Sequence, residues 1–287
     1  MKNRLRLAAA SLLAAAMLVL GGCTSNFRFE TYENPEKYQT GSFEYEAADV
    51  TAIEIDWVAG SIELIHSSEK SLSVSESGED MPEDKRLRWY IDGTTLHIKY
   101  CSSGYIGEID PLLKRLTVEL PAGTALDIDN VSAAISAEKL ELSDLELENV
   151  SGSIDIGAVS ASHAELETIS GALIVGDIKI AGDLEIESVS GAVALGGVSA
   201  KNLTAGSVSG RMELAVKDCE QINLNGTSAE MRLELLDGLG ATLDFTGVSG
   251  RLKTDAEYSS DGDRRIFGDG RCAVKVETVS GDLSIIA

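Results

Sequence analysis

The sequence predicts an all-β chain: a parallel β-solenoid of about 19–20 residues per coil, preceded by an N-terminal β-hairpin cap region. Three observations predict it. A short phrase recurs at near-constant spacing, apolar and polar residues alternate on both sides of it, and every copy carries its own small-residue break. The phrase reads Val150-Ser151-Gly152-Ser153-Ile154 and returns at Ile169-Ser170-Gly171, Val189-Ser190-Gly191, Val208-Ser209-Gly210, Val248-Ser249-Gly250 and Val279-Ser280-Gly281. Two degenerate copies, Val131-Ser132-Ala133 and Thr227-Ser228-Ala229, fill the gaps, so successive intervals are 19, 19, 20, 19, 19, 21 and 31 residues.

The chain begins with a leader. Lys2, Arg4 and Arg6 form a positive head before the uncharged run Leu7 to Leu20. That run of 14 residues would span roughly 21 Å as a helix, short of the roughly 30 Å hydrocarbon core, so residues 1–22 read as a secretory signal peptide. Leu20-Gly21-Gly22-Cys23 resembles the bacterial lipobox, and the resemblance implies cleavage before Cys23 and acylation of its thiol. The implied localisation is the cell envelope, with acyl chains on Cys23 holding the chain to the outer membrane or to the extracytoplasmic face of the cytoplasmic membrane. Residues 23–47, polar and containing Pro35 and Gly41, read as anchor and spacer.

Charge narrows the partners. Of 24 basic residues, three lie in the leader, leaving 21 against 47 acidic, a formal charge of −26. Nucleic-acid binding requires Lys and Arg on phosphates, so that class is excluded. Anionic lipid head groups are repelled as well, which leaves the acyl chains as the membrane contact.

Residues 48–123 read as a distinct β region. Ile53, Ile55 and Trp57 alternate, and Ile62 and Leu64 follow Gly60, a pattern that suggests a hairpin. Trp89 to Ile98 gives a stronger one, with Asp92-Gly93 as the tight turn. Leu116 to Leu120 then runs into Pro121-Ala122-Gly123. This region would shield the open first coil.

Residues 124–287 carry the repeats. In Leu184-Glu185-Ile186-Glu187 the period is two, which is strand and not helix. One such unit cannot bury its apolar side alone; stacked units place Val over Val and Leu over Leu. Gly152, Gly171, Gly191, Gly210, Gly250 and Gly281 are the repeat corners, where glycine tolerates positive φ. Ala133 and Ala229 stand at the same corner, which favours small size over φ as the requirement. The last copy ends the chain at Ala287, so the far end is predicted open unless Lys253 to Arg271 folds over it. An open edge would instead pair with a partner or, end to end, with another copy.

The strand Leu116 to Leu120 with Pro121 and Gly123, followed by serial Val-Ser-Gly-x-apolar phrases, resembles a family of bacterial envelope proteins provisionally described as β-strand-repeat adhesins. The resemblance covers most of residues 48–287. It implies a β-solenoid, often lipid- or membrane-anchored, and supplies no catalytic residues.

Chemistry-bearing candidates are few. Equivalent corner serines cannot all be nucleophiles, and none lies in a Gly-x-Ser-x-Gly setting. His66, His97 and His163 fall in unrelated segments, so no three-histidine metal site is expected. No cofactor is implied. Asp127/Asp129, Glu146/Glu148, Glu165/Glu167 and Glu185/Glu187 alternate on one strand face, where glycoside hydrolysis would find carboxylate pairs, although a solvated outward face is the preferred explanation and the low aromatic content disfavours a sugar-stacking cleft. Asp261-Gly262-Asp263 and Gly268-Asp269-Gly270 suggest a calcium loop or, with Arg264, Arg265 and Arg271, an ion-paired one. Cys101, Cys219 and Cys272 read as buried free thiols. The sequence therefore predicts a non-enzymatic adhesin-like binding or scaffold module for an envelope polymer or protein. The alternatives are a polysaccharide-acting enzyme and an envelope-stress sensing or assembly partner.

Overall fold

A computed structural model describes residues 27–29, 31–46, 49–68, 71–79, 81–107 and 114–287. Residues 1–22, read as a signal peptide, and Cys23 lie outside these residues. Apart from two 3-10 turns, Pro35–Lys37 and Glu83–Lys85, the described elements are strands, and 23 of them hydrogen-bond into one continuous system.

Each coil has a leading strand before the Ser-Gly bend and a trailing strand after it. Leading strands Thr124–Asn130, the second half of Ala134–Asn149, His163–Thr168, Asp183–Ser188 and the second half of Val193–Ser207 stack in parallel and in register. Trailing strands stack likewise from Ser61–Ser67 through Ala134, Ile154–Ala161, Leu173–Ile180 and Val193 to Arg211. The parallel solenoid is thus observed, and its core is a ladder of like residues: Leu126, Leu145, Ala164, Leu184 and Leu203 on one side, Ile135, Ile154, Leu173, Val193 and Met212 on the other. Burial of this apolar surface is the main stabilising term.

Three details depart from the simple repeat. Inside the trailing strand, Ile154 and Ile156 are buried and so are Val159 and Ala161, so the chain bends between them and reverses its inward phase. The first residue of most copies of the phrase faces outward: Val150 is buried, but Val189, Val208 and Val279 are about half exposed and Val248 is 83% exposed, because the bend turns them away from the core. The six corner glycines all have negative φ or extended backbone, since none is among the positive-φ residues. Their requirement is space. A Cβ on Gly171 would lie 2.0 Å from the Gly152 carbonyl oxygen, and one on Gly191 2.2 Å from that of Gly171. Coils approach backbone to backbone at this corner, and small size alone permits it.

Coil order differs from chain order at both ends. The last coil, Cys272–Thr278 with Leu283–Ile286, is not outermost. It inserts between the coil Gln221–Leu235 and the coil Ala241–Thr254, pairing in parallel with each. Residues 253–271 do fold over the end, but only on the leading side, where Arg264–Phe267 pairs antiparallel with Ala241–Gly247 and Ser259–Asp261 follows it. The ion pairs expected of this loop are absent among the described residues; Arg265 lies over the Tyr258 ring and Asp269 accepts the Arg271 amide.

The N-terminal end shows the same exchange. Ala52–Trp57 and Ser61–Ser67 are not a hairpin but a full coil, with Val58-Ala59-Gly60 as its bend. The later pair Thr95–Lys99 and Arg115–Pro121 lies outside it. The Asp92-Gly93 hairpin is present, with Gly93 at φ +62°. Residues read as spacer belong to the body: Gln39–Thr40 pairs with Arg88–Trp89, and Phe43–Glu46 with Ser71–Val74. The aromatics Tyr32, Tyr38 and Phe43 explain this, because each packs against a ring of the cap or of its own segment.

Candidate functional site: an acidic sheet face

The leading sheet assembles the largest cluster of charged side chains. Outward residues alternate with the core ladder, so each strand presents two carboxyl positions, and parallel register stacks them. One column is Glu54, Asp127, Glu146, Glu165 and Glu185; the other is Asp56, Asp129, Glu148, Glu167 and Glu187. Backbone spacing sets a grid of about 4.8 Å between coils and about 6.6 Å along each strand. The four pairs singled out in the sequence are therefore brought together, with Glu54 and Asp56 added by a coil whose phrase is degenerate.

Compensating charge lies at the edges. His97 Nδ1 is 2.8 Å from Glu54, Lys99 pairs with Asp56, and at the other end Lys275 is 2.7 Å from Glu277. Among the described residues no lysine or arginine pairs with Glu146, Glu148, Glu165, Glu167, Glu185 or Glu187. Partial burial, then repulsion by stacked neighbours, pushes Asp127, Glu148 and Glu165 each up to about 7 and raises Glu167 and Glu187 as well. The carboxyls of Glu165 and Glu167 are hydrogen-bonded to each other, so near neutral pH this pair holds a proton.

Beside the acid columns runs a third, aliphatic column: Val131, Val150, Ile169, Val189 and Val208 at the outside of the bend. The acid columns end where Glu187 meets Gly206 and Asn225, and Glu185 meets Thr204 and Asn223. Where Gly206 lacks a side chain in the outer column, a groove of about 400 Å³ opens, walled by Glu187, Val208, Asn225, Thr246 and Glu277.

The bend under this face is held by two hydrogen-bond ladders. Outside, the hydroxyls of Ser132, Ser151, Ser170, Ser190 and Ser209 donate to Val58, Val131, Val150, Ile169 and Val189 carbonyls of the preceding coil. Inside, buried Asn130, Asn149, Thr168 and Ser188 each donate to the carbonyl three residues on. Asn130 also donates to Asn149, and Asn149 to Thr168, joining the coils. Sequence reading missed this inner ladder. Its signal was present: the residue before six of the eight phrase copies is Asn130, Asn149, Thr168, Ser188, Ser207 or Thr278, small and polar, with Gly226 and Gly247 before the other two.

The remaining candidates stay apart. His163 meets only Asp144, at 3.3 Å, and among the described residues no group of His, Cys, Asp and Glu has a metal-holding arrangement. Burial pushes the Cys101 thiol up to about 12.

The family model described as Toastrack DUF4097 matches residues 50–286. The chain belongs to that family. The match covers the region over which the β-strand-repeat resemblance was read, and the Toastrack fold is a β-solenoid. Among solved structures, a Parabacteroides distasonis ATCC 8503 protein provisionally named an adhesin is 14% identical, with a TM-score of 0.49 over 86% of this Toastrack chain and 97% of its own. A Bacteroides fragilis NCTC 9343 protein, likewise provisionally named an adhesin, is 14% identical with a TM-score of 0.48, covering 90% and 100%. A second P. distasonis protein, provisionally named lipid-binding, is 15% identical with a TM-score of 0.48, covering 86% and 96%. No curated protein matches.

Proposed function

We propose that this Toastrack protein is a non-enzymatic binding module of the bacterial envelope, exported by residues 1–22, tethered through Cys23, and docking a positively charged segment of a partner on its leading face. One observation carries the reading: two in-register carboxylate columns, uncompensated at their centre, run beside an aliphatic column on a rigid face. A basic segment bearing apolar side chains complements all three columns, and bound cations relieve the repulsion that now keeps protons on Glu148 and Glu165. Titration of the full-length chain with oligolysine and oligoglutamate peptides tests it. Saturable oligolysine binding is expected, weakening steeply with salt and at least tenfold in the variant E146Q/E148Q/E165Q/E167Q. Equal binding of both peptides, or none, overturns it. For the tether, Cys23→Ala is expected to release the chain from membranes; unchanged partitioning refutes acylation.

The raised carboxyls favour one second reading. A protonated Glu165 beside ionised neighbours has the composition of an acid–base pair for glycan cleavage. Product from an acidic polysaccharide, lost in E165Q, would establish it in place of the binding reading.

A further inference from the structure

Cys219 and Cys272 stand 53 positions apart in the sequence and in different repeats. The exchange of coil order brings them together. Cys219 lies where Arg211–Gly226 turns from the trailing to the leading face, and Cys272 opens the leading strand of the inserted last coil. Gln221 stands opposite Ala273 in the parallel pairing of these strands, so the two cysteines occupy adjacent strands with a one-residue offset. Adjacent strands lie about 4.8 Å apart, and the inward phase reverses between Cys219 and Ile222, with Glu220 and Gln221 both exposed, so both cysteine side chains point inward in spite of the offset, at the separation of neighbouring strands that a disulfide can span. Both side chains are buried, at 4% and 0% exposure, and the two thiols are close enough for each to perturb the other's ionisation. Had the coils stacked in chain order, Cys272 would have faced only the coil that begins at Ala241.

We propose that Cys219 and Cys272 form a cystine cross-link, closed as the last coil inserts, which staples that coil to the body of the solenoid. Its formation in the cell rests on the export reading of residues 1–22, because disulfides persist outside the cytoplasm; the bond chemistry does not. The oxidant is a small or protein disulfide. The Cys219 thiolate attacks it, forming a mixed disulfide and releasing one thiolate. Cys272 then gives up its proton and attacks the Cys219 sulfur, expelling the second thiolate. Two protein thiols are oxidised and one disulfide is reduced to two thiols. Since neither sulfur is accessible in the closed stack, exchange takes place while the last coil is detached, and the finished bond is shielded from reductant.

The test is refolding of the full-length chain with reduced and oxidised glutathione, against refolding in reductant alone. Cysteines are then alkylated in denaturant, reduced, labelled with a second reagent and mapped by peptide mass. The expected result is second label on Cys219 and Cys272, first label on Cys101, a linked 219–272 peptide, and a Tm about 5–10 °C above the reduced chain. Cys272→Ala should lose the oxidant-dependent shift and Cys101→Ala should keep it. First label on both Cys219 and Cys272 after oxidative refolding, or a link that uses Cys101, overturns the cross-link. A link that forms on refolding but is missing from protein recovered from cells overturns the export reading alone.

Discussion

At the N-terminal end, both faces of the stack are closed by antiparallel strands: Arg88–Asp92 and Gln39–Thr40 on the leading side, Ser71–Ser77 and Phe43–Glu46 on the trailing side. At the C-terminal end only the leading side is closed, by Arg264–Phe267 and Ser259–Asp261, while the three-residue strand Leu252–Thr254 is outermost on the trailing side. The materials differ too. The first end encloses a buried cation: Lys114 Nζ is 2.6 Å from Glu76 Oε1, donates to the Lys85 and Tyr100 carbonyls, and sits 3.8 Å from the Tyr100 ring centroid and 4.8 Å from that of Trp57. Glu76 in turn accepts the Leu87 amide. The polar contacts of the second end lie at the surface, with Asp282 receiving the Arg251 amide and lying 2.6 Å from Lys253, and its buried anchor, Phe267, is apolar. One end is built to stay shut; the other has an edge that opens at little cost.

The largest effect should come from breaking the buried cation. Lys114→Met leaves the Glu76 carboxylate enclosed without its partner and should cost about 3–5 kcal/mol in urea denaturation, whereas Lys114→Met with Glu76→Leu should recover most of it. Burial already holds Lys114 below its ordinary range, so the ammonium stays only because Glu76 and the two carbonyls face it. At the other end, Phe267→Ala removes a side chain that is 1% exposed, at a cost of about 3 kcal/mol. Hydrogen exchange should then quicken in 241–254 and not in 52–121; uniform quickening would mean the two ends are one cooperative unit. Between the ends, Gly171→Ala forces a Cβ to 2.0 Å from a carbonyl and should cost about 1–3 kcal/mol, while the same change at the open Gly262 turn should act through its positive φ alone.

The smallest effect concerns the acidic face. Asp127, Glu148 and Glu165 hold protons up to about pH 7 in the folded chain but lose them near pH 4 when unfolded. The folded state therefore binds more protons between those values, and stability should fall as pH rises from about 4 to about 7. Glu165→Gln should raise Tm at pH 8 by about 1–3 °C and flatten that slope. A chain whose Tm rises steadily from pH 5 to 8 would refute the stacking repulsion.

Much of this was legible from residues 131 to 252, where phrase spacing fixes coil length and alternation fixes which side chains point inward. The carboxylate columns followed from the same periodicity. What escaped has a common physical cause: local pattern specifies that a strand needs neighbours, not which neighbours it takes. The first coil was hidden because Val58-Ala59-Gly60 lacks the phrase, and the inserted last coil because nothing in Val279-Ser280-Gly281 marks it as penultimate. The meeting of Cys219 with Cys272 was invisible for that reason as well. The corner glycines were found, and Ala133 and Ala229 pointed to small size as their requirement, but the close approach between coils that demands it leaves no trace within one repeat.

The tucking of both terminal coils also bears on force. A chain end that forms the edge of a sheet peels one hydrogen bond at a time under tension. Here Leu283–Ile286 is bonded on both flanks, to Met231–Glu234 and to Leu252–Thr254, so a pull on the C-terminus must shear two rows at once. At the other end Phe43–Glu46 is bonded on one flank alone, so a chain loaded through both ends would begin to fail on its N-terminal side.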